Sequence, residues 1–200
     1  MPSNAEVVKH ANFDPSDVQV VSVRDRKPTE LVEANPKWAS KFVLVAQQIH
    51  TTLGSRALAI EHVGSTSVPN LPAKDCIDID LIVADPTDEK SYVEDLETIG
   101  FQFLFREPGL HEHRFFGLDE PYVNLHVFGP DSPEVVRHRT FSKWLRENED
   151  DRLAYEQVKR EAAAAAEGLH ETVNQYNNRK EPLIRKILDR AFKAQGLLNP

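Results

Sequence analysis

The chain reads as an α+β protein: a mixed, largely antiparallel sheet flanked by helices, with further helices at the C-terminal end. Three observations predict this. Strand-like and helix-like patterns alternate through roughly the first hundred residues. Three consecutive strand-like runs, "FQFLFRE", "HRFFGL" and "YVNLHVF", are separated by "PG" and "DEP" turns and predict an antiparallel meander. The last fifty or so residues carry helical spacing, with the Ala-rich run "EAAAAAEG" supplying the best helix former.

The elements follow in order. Residues 1–17 are polar and predict a loose arm, followed by one domain over 18–200. "DVQVVSV" alternates well enough for a short strand, and "RDRKPTE" is a turn or linker. Asn35 and Pro36 form a helix-start signature, Gly54 is a stop, and Trp38, Phe42, Val45, Ile49 and Leu53 lie on one stripe between them. Strands are predicted over Ala57 to Val63 and Cys76 to Ala84. A helix is predicted from Asp85-Pro86, turned inward by Tyr92, Val93, Leu96 and Ile99 and stopped by Gly100. After the meander, Ser132-Pro133 begins a helix reaching about Asn148. Pro182 is expected to start or kink the last helix, which carries Leu183, Ile184, Ile187, Leu188 and Phe192 on its core side.

The totals are those of an ordinary globular chain of 200 residues, with 40% hydrophobic and 28% charged side chains. A net charge of −8 argues against a general nucleic-acid binder, although RNA on a local basic patch stays open. The single cysteine, Cys76, excludes an internal disulfide and reads as a small core residue. No apolar run approaches the ~20 residues that span a bilayer and no leader is visible, so a cytoplasmic location is the expectation.

Chemistry concentrates in "IEHVGSTSVPNLPAKDCIDIDLIV", Ile60 to Val83. Alternation on a strand puts Ile77, Ile79 and Leu81 on one face and Asp78 and Asp80 on the other, roughly 6.5–7 Å apart. Two carboxylates so placed can lean toward one hard cation, which also relieves their mutual repulsion. A solvated acidic face is the plainer alternative. Upstream, Gly64 permits close backbone approach, and Ser65, Thr66 and Ser67 add hydroxyl donors for an anion. A phosphate cradle ahead of a carboxylate pair is a layout for a nucleoside triphosphate, and the segment is neither a Walker A loop nor a Rossmann fingerprint.

Gly64-Ser65, a gap spanning residues 66 to 77, and then Asp78-Ile79-Asp80 resembles the signature of the nucleotidyltransferase superfamily. More narrowly, the 60–83 stretch resembles the core of the GrpB (UPF0157-like) family, as do "ANPKW", "FSKWLREN", "YEQVKRE" and "YNNRKEPLIRKIL". The chain departs from the family pattern at Asn70, where Gly is usual, and at Asp75, where Pro is usual.

This resemblance implies a nucleotidyltransferase-like sheet and a metal-dependent transfer from a nucleoside triphosphate, ATP first, to a small-molecule or protein acceptor. Gly64, Ser65, Thr66 and Ser67 would bind phosphate, with Lys74 and Arg114 as further candidates. Asp78 and Asp80 would be catalytic and hold Mg²⁺ or Mn²⁺. The strand expected to supply a third acid carries Asn124 and His126 instead. His126 is therefore the candidate third ligand, a set that suits Mn²⁺ or a single metal better than a Mg²⁺ pair. His126 reads equally as a satisfied histidine on a half-buried face. His62 could orient the loop, the His111–His113 cluster is a weak metal candidate, and Lys159, Arg179 and Lys180 read best as a solvated helical face. The alternative function is a non-catalytic nucleotide- or phosphate-binding module that lost the third carboxylate.

Overall fold

The computed structural model describes residues 1–10, 14–25, 30–169 and 173–198. Among them one six-stranded sheet runs in the order β1-β4-β5-β6-β3-β2. The strands are β1 (Gln19–Val20), β2 (Ala59–Val63), β3 (Ile77–Ile82), β4 (Gln102–Glu107), β5 (His113–Leu118) and β6 (Val123–Phe128). The expected meander is β4-β5-β6, antiparallel throughout, whereas β3 and β6 run parallel.

Alternation gives the sheet two chemically different faces. Ile77, Ile79 and Leu81 of β3 pair with Val123, Leu125 and Val127 of β6 on the apolar face. That face is covered by α2 (Lys37–Leu53), through Trp38, Val45, Ile49 and Leu53, and by α3 (Val93–Thr98). Each large aliphatic side chain so buried contributes roughly 1.5–3 kcal/mol. The opposite face carries Asp78 and Asp80 beside Asn124 and His126. It is covered in part by α4 (Pro133–Glu147), whose Val135 packs on Ile82 and Phe128. Behind α4 lie α5 (Glu149–Leu169) and α6 (Val173–Ala194), joined by a cluster of Leu145, Tyr155 and Ile187 that also takes in Val68 and Leu71.

Several boundaries differ from expectation, each for a local reason. The first seventeen residues do not all form an arm. Helix α1 (Asn4–Val8) begins with a Ser3–Glu6 capping box, and Val7, 3% exposed, packs with Leu188 and Phe192. The linker around Arg26–Thr29 lies outside the described residues. The Asp85-Pro86 stretch is not helical: the Asp85 carboxylate accepts from the Thr87 backbone and hydroxyl, an alternative to a helical turn, and α3 starts eight residues later. Of the two places expected for Pro182, the start of the last helix or a point within it, the structure has the second, inside α6. The family-atypical residues fit their places. Asn70 takes a positive φ of 61°, which asparagine tolerates better than most residues. Asp75 accepts from Trp38 Nε1 at 2.9 Å and Lys41 Nζ at 2.7 Å, tying α2 to the segment before β3.

Candidate functional site

The site forms where β2 ends against the start of β3. Gly64 leaves β2 at φ 65° and ψ −170°, and Ser65–Ser67 follows as a single 3-10 turn. Pairing of Val63 with Asp78 brings that turn onto the acidic strand. The fit is tight: a Cβ at Gly64 would sit 2.4 Å from Asp78 Oδ2. The Gly64→Ala variant is therefore expected to lose roughly 1–3 kcal/mol of stability by urea unfolding, since the dihedral is strained for alanine and its methyl displaces Asp78. A loss below a few tenths would show that the turn and the acid are not in contact.

The turn is anchored by its own side chains. Ser67 Oγ donates to Gly64 O at 2.7 Å, and the Arg146 guanidinium donates to Ser67 O at 2.9 Å. Thr66 Oγ1 lies 3.0 Å from His62 Nε2. His62 itself lies on the apolar face, stacked on Phe42 at 4.8 Å, and burial lowers its pKa to about 4. Burial raises the pKa of the Tyr155 hydroxyl of α5, and Ser65 beside it opposes that shift.

The two acids share a face but not an environment. Asp78 directs Oδ2 at the turn and accepts from Asn124 Nδ2 at 2.9 Å through Oδ1. Burial raises its pKa, against the opposing pull of that hydrogen bond and of Lys180. Asp80 is 0% exposed and lies 2.9 Å from His138 Nδ1 on α4. His138 rises to about 9: burial opposes its charge, but Asp80 outweighs it both as a neighbouring charge and as a hydrogen-bond partner. His126 pairs with Asp80 across the strands, yet its Nδ1 faces His113 Nε2 at 3.1 Å, and His113 Nδ1 in turn faces Glu107 at 2.6 Å. Burial depresses both His113 and His126 to about 3, so both are neutral at pH 7.

This donor set does not fit the expected metal. Asp78, Asp80 and His126 each turn to a different partner, and no group of three or more His, Cys, Asp or Glu side chains suited to a metal ion forms among the described residues. The β6 position opposite Asp78 presents an amide N–H, a donor where a cation needs an acceptor. The His111–His113 cluster is likewise split: His113 turns inward to Glu107, whereas His111 is exposed.

Of the phosphate candidates, the structure brings Gly64, Ser65 and Lys74 together with Asp78. Lys74 Nζ sits 3.9 Å above the Tyr176 ring, and burial lowers its pKa while Asp78 opposes the shift. Arg114 is not part of this group. It pairs with Val127 on the apolar side of the sheet and donates to Glu89 at 2.8 Å. Its strand is evident in the sequence, but the register that sets its neighbours is not.

Two lysines expected on a solvated face are instead part of the site. Lys159 of α5 is 2% exposed and donates to Pro72 O at 2.5 Å. Lys180 of α6 sits 4.3 Å above the Tyr176 ring that also meets Lys74. Burial, then the charge of Lys180, lowers Lys159 to about 7; burial, then Lys74, lowers Lys180 to about 8. A sequence signal for both exists. Tyr155/Lys159 and Tyr176/Lys180 repeat the same i,i+4 pair on successive helices, one face of each. His138 and Arg24 had no comparable signal.

Comparison with known proteins places this geometry in a wider set. The family model described as GrpB protein matches residues 28–190. A UPF0157 protein of Halalkalibacterium halodurans is 42% identical over 181 residues, 88% of this chain and 90% of that protein. The crystal structure of the conserved protein GrpB from Enterococcus faecalis superposes with a TM-score of 0.73 at 30% identity, over 83% of this chain and 99% of that one. A dephospho-CoA kinase of Mycolicibacterium paratuberculosis is 29% identical over 193 residues, but this chain spans only 47% of its length.

Proposed function

The chain belongs to the GrpB family, and from that premise we propose that its Asp78 site binds the phosphates of a nucleotide, ATP being the first candidate, between the Gly64–Ser67 turn and the two Tyr–Lys helices. One observation carries this: Lys74 and Lys180 share the Tyr176 ring, Lys159 is 2% exposed beside them, and Asp78 is the one carboxylate whose charge acts on all three, with Glu156 and Glu181 each acting on one. Asp80 does not balance them, because His138 already takes its charge. Buried ammonium groups without enough counter-charge are costly and lower one another's pKa. A polyphosphate supplies the missing negative charge, and the turn beside Asp78 adds the Ser65 hydroxyl.

Asp78 then faces a phosphoryl group as a like charge, which sets up a test with a definite sign. Labelled ATP is titrated into the full chain in the presence of a chelator. Saturable binding is expected, and Asp78→Asn is expected to bind about fivefold tighter, through relief of a repulsion of about 1 kcal/mol. An Asp78→Asn protein that folds but no longer binds metal-free ATP would defeat this reading.

A second reading, nucleotidyl transfer to a small-molecule or protein acceptor, is favoured by one feature: Asp78 and Asp80 stand on one strand face beside the turn, as in that superfamily's layout. Labelled triphosphate with Mn²⁺ or Mg²⁺ separates the two. Turnover or self-labelling that Asp78→Asn abolishes would move the site to transfer. Binding without turnover leaves it a module.

A further inference from the structure

Asn124 holds Asp78, and its amide has two unlike ends. Only Nδ2 can donate to the carboxylate; turned over, the amide would set its oxygen against another acceptor. Arg24 decides between them. Its guanidinium lies 4.2 Å above the Tyr122 ring and donates to Val123 O at 2.9 Å and to Asn124 Oδ1 at 2.5 Å. Arginine has donors only, so the end of Asn124 that meets it must be the oxygen, and Nδ2 is left for Asp78 at 2.9 Å. The sheet is shaped for this side chain. Gly117 pairs with Asn124 across β5 and β6, and a Cβ there would stand 2.2 Å from Arg24 Nη1. Only a residue without a side chain lets the guanidinium lie on the strands at that point.

We propose that Arg24 is a positioning residue of the site: it fixes the direction of the Asn124 amide and thereby holds Asp78 with Oδ1 on Asn124 and Oδ2 on the Gly64 turn. The chain Arg24–Asn124–Asp78 links the segment after β1 to the acidic strand. The purpose of this link rests on the phosphate-binding reading; its geometry does not.

The test uses the ligand-free full chain, labelled with nitrogen-15, with the side-chain amide of Asn124 assigned by its disappearance in Asn124→Asp. Arg24→Gln is expected to speed hydrogen exchange of that amide about tenfold or more, while the backbone amides of Leu125 and Val127 keep their protection. Arg24→Lys should restore only part of the effect, because an ammonium is a point charge without the planar fork. Unchanged Asn124 exchange in folded Arg24→Gln would overturn the inference. Equal loss of protection through β6 would overturn it too, since that is general loosening. Should Arg24→Gln fail to fold, Tyr122→Leu, which removes the aromatic ring beneath the guanidinium together with its hydroxyl, carries the same expectation. An ATP titration of the parent runs alongside. If the parent does not bind ATP, the phosphate reading fails and the exchange result still decides the role of Arg24.

Discussion

At pH 7 the His138→Ala protein is expected to unfold roughly 3 kcal/mol more easily than the parent in urea, the low end of what breaking a buried ion pair costs. The low end applies because the His138 side chain is 33% exposed, while Asp80 is 0% exposed. The loss has a definite origin. Asp80 lies on a strand between β2 and β6 with α4 across it, and His138 is the positive partner α4 supplies. Without it a fully buried carboxylate is left between a neutral His126 on β6 and Glu61 on β2, whose own partner is Arg139. Asp80→Asn combined with His138→Ala should recover much of the loss, because the stranded charge is gone. The pH dependence has a fixed sign. His138 is raised in the folded state to about 9 from an ordinary value near 6.5, so the pair contributes fully below pH 6.5 and its contribution is lost as pH rises through 9. Glu134 and Asp78 also favour the charged imidazole and hold the midpoint high. A His138→Ala cost under about 1 kcal/mol at pH 7, or a cost as large at pH 9.5 as at pH 6, would show that the pair does not hold α4 to the sheet; comparing variant with parent at each pH cancels the opposite trend from Lys159 and Lys180.

Affinity for metal-free ATP is expected to fall steeply above pH 7, approaching a tenfold loss per pH unit for each lysine that must regain a proton. Lys159 begins to discharge near pH 7 and Lys180 near pH 8, so the fall should steepen from one proton toward two between them. Lys159→Met should remove the first step and cost roughly 10- to 100-fold in affinity at pH 7, the range for a charge-assisted contact to a phosphoryl oxygen. Its methylenes stay packed beside Tyr155, so the fold should survive and the loss should read as binding. An affinity flat from pH 7 to pH 9 in the parent would mean that these lysines do not meet the ligand. Those titrations would then favour a site in which Asp78 acts toward something other than a phosphate.

Much of this was legible because it is local. The α2 stripe from Trp38 to Leu53 follows helical spacing, and Ile77, Ile79 and Leu81 follow strand spacing, so both appear directly in the order of residues. The Gly64 turn and the Asp78–Asp80 pair were visible for the same reason: each is a statement about neighbours two to four positions apart. The N-terminal helix was missed although Ser3 and Glu6 spell a capping box, because five residues of helix are marginal until Val7 finds Leu188 and Phe192. Arg114 could be named as a candidate but not placed, because a strand's own pattern does not say which register its neighbour takes. A shift of one residue exchanges the faces of the whole strand.

The sequence by itself determined the alternation of strands and helices, the turn at Gly64, and a strand with acids on one face and aliphatics on the other. Periodicity and dihedral preference act within a few residues and need no partner. Only the tertiary structure decided what those acids meet. It buried Asp80 against His138 and set Asp78 between Asn124 and the turn. It also carried Lys159 and Lys180 in from separate helices, where the low-polarity surroundings, rather than the residues' own chemistry, bring their pKa values to about 7 and about 8. Charge in a protein takes its meaning from burial and from partners distant in the chain, and neither is written in the order of residues.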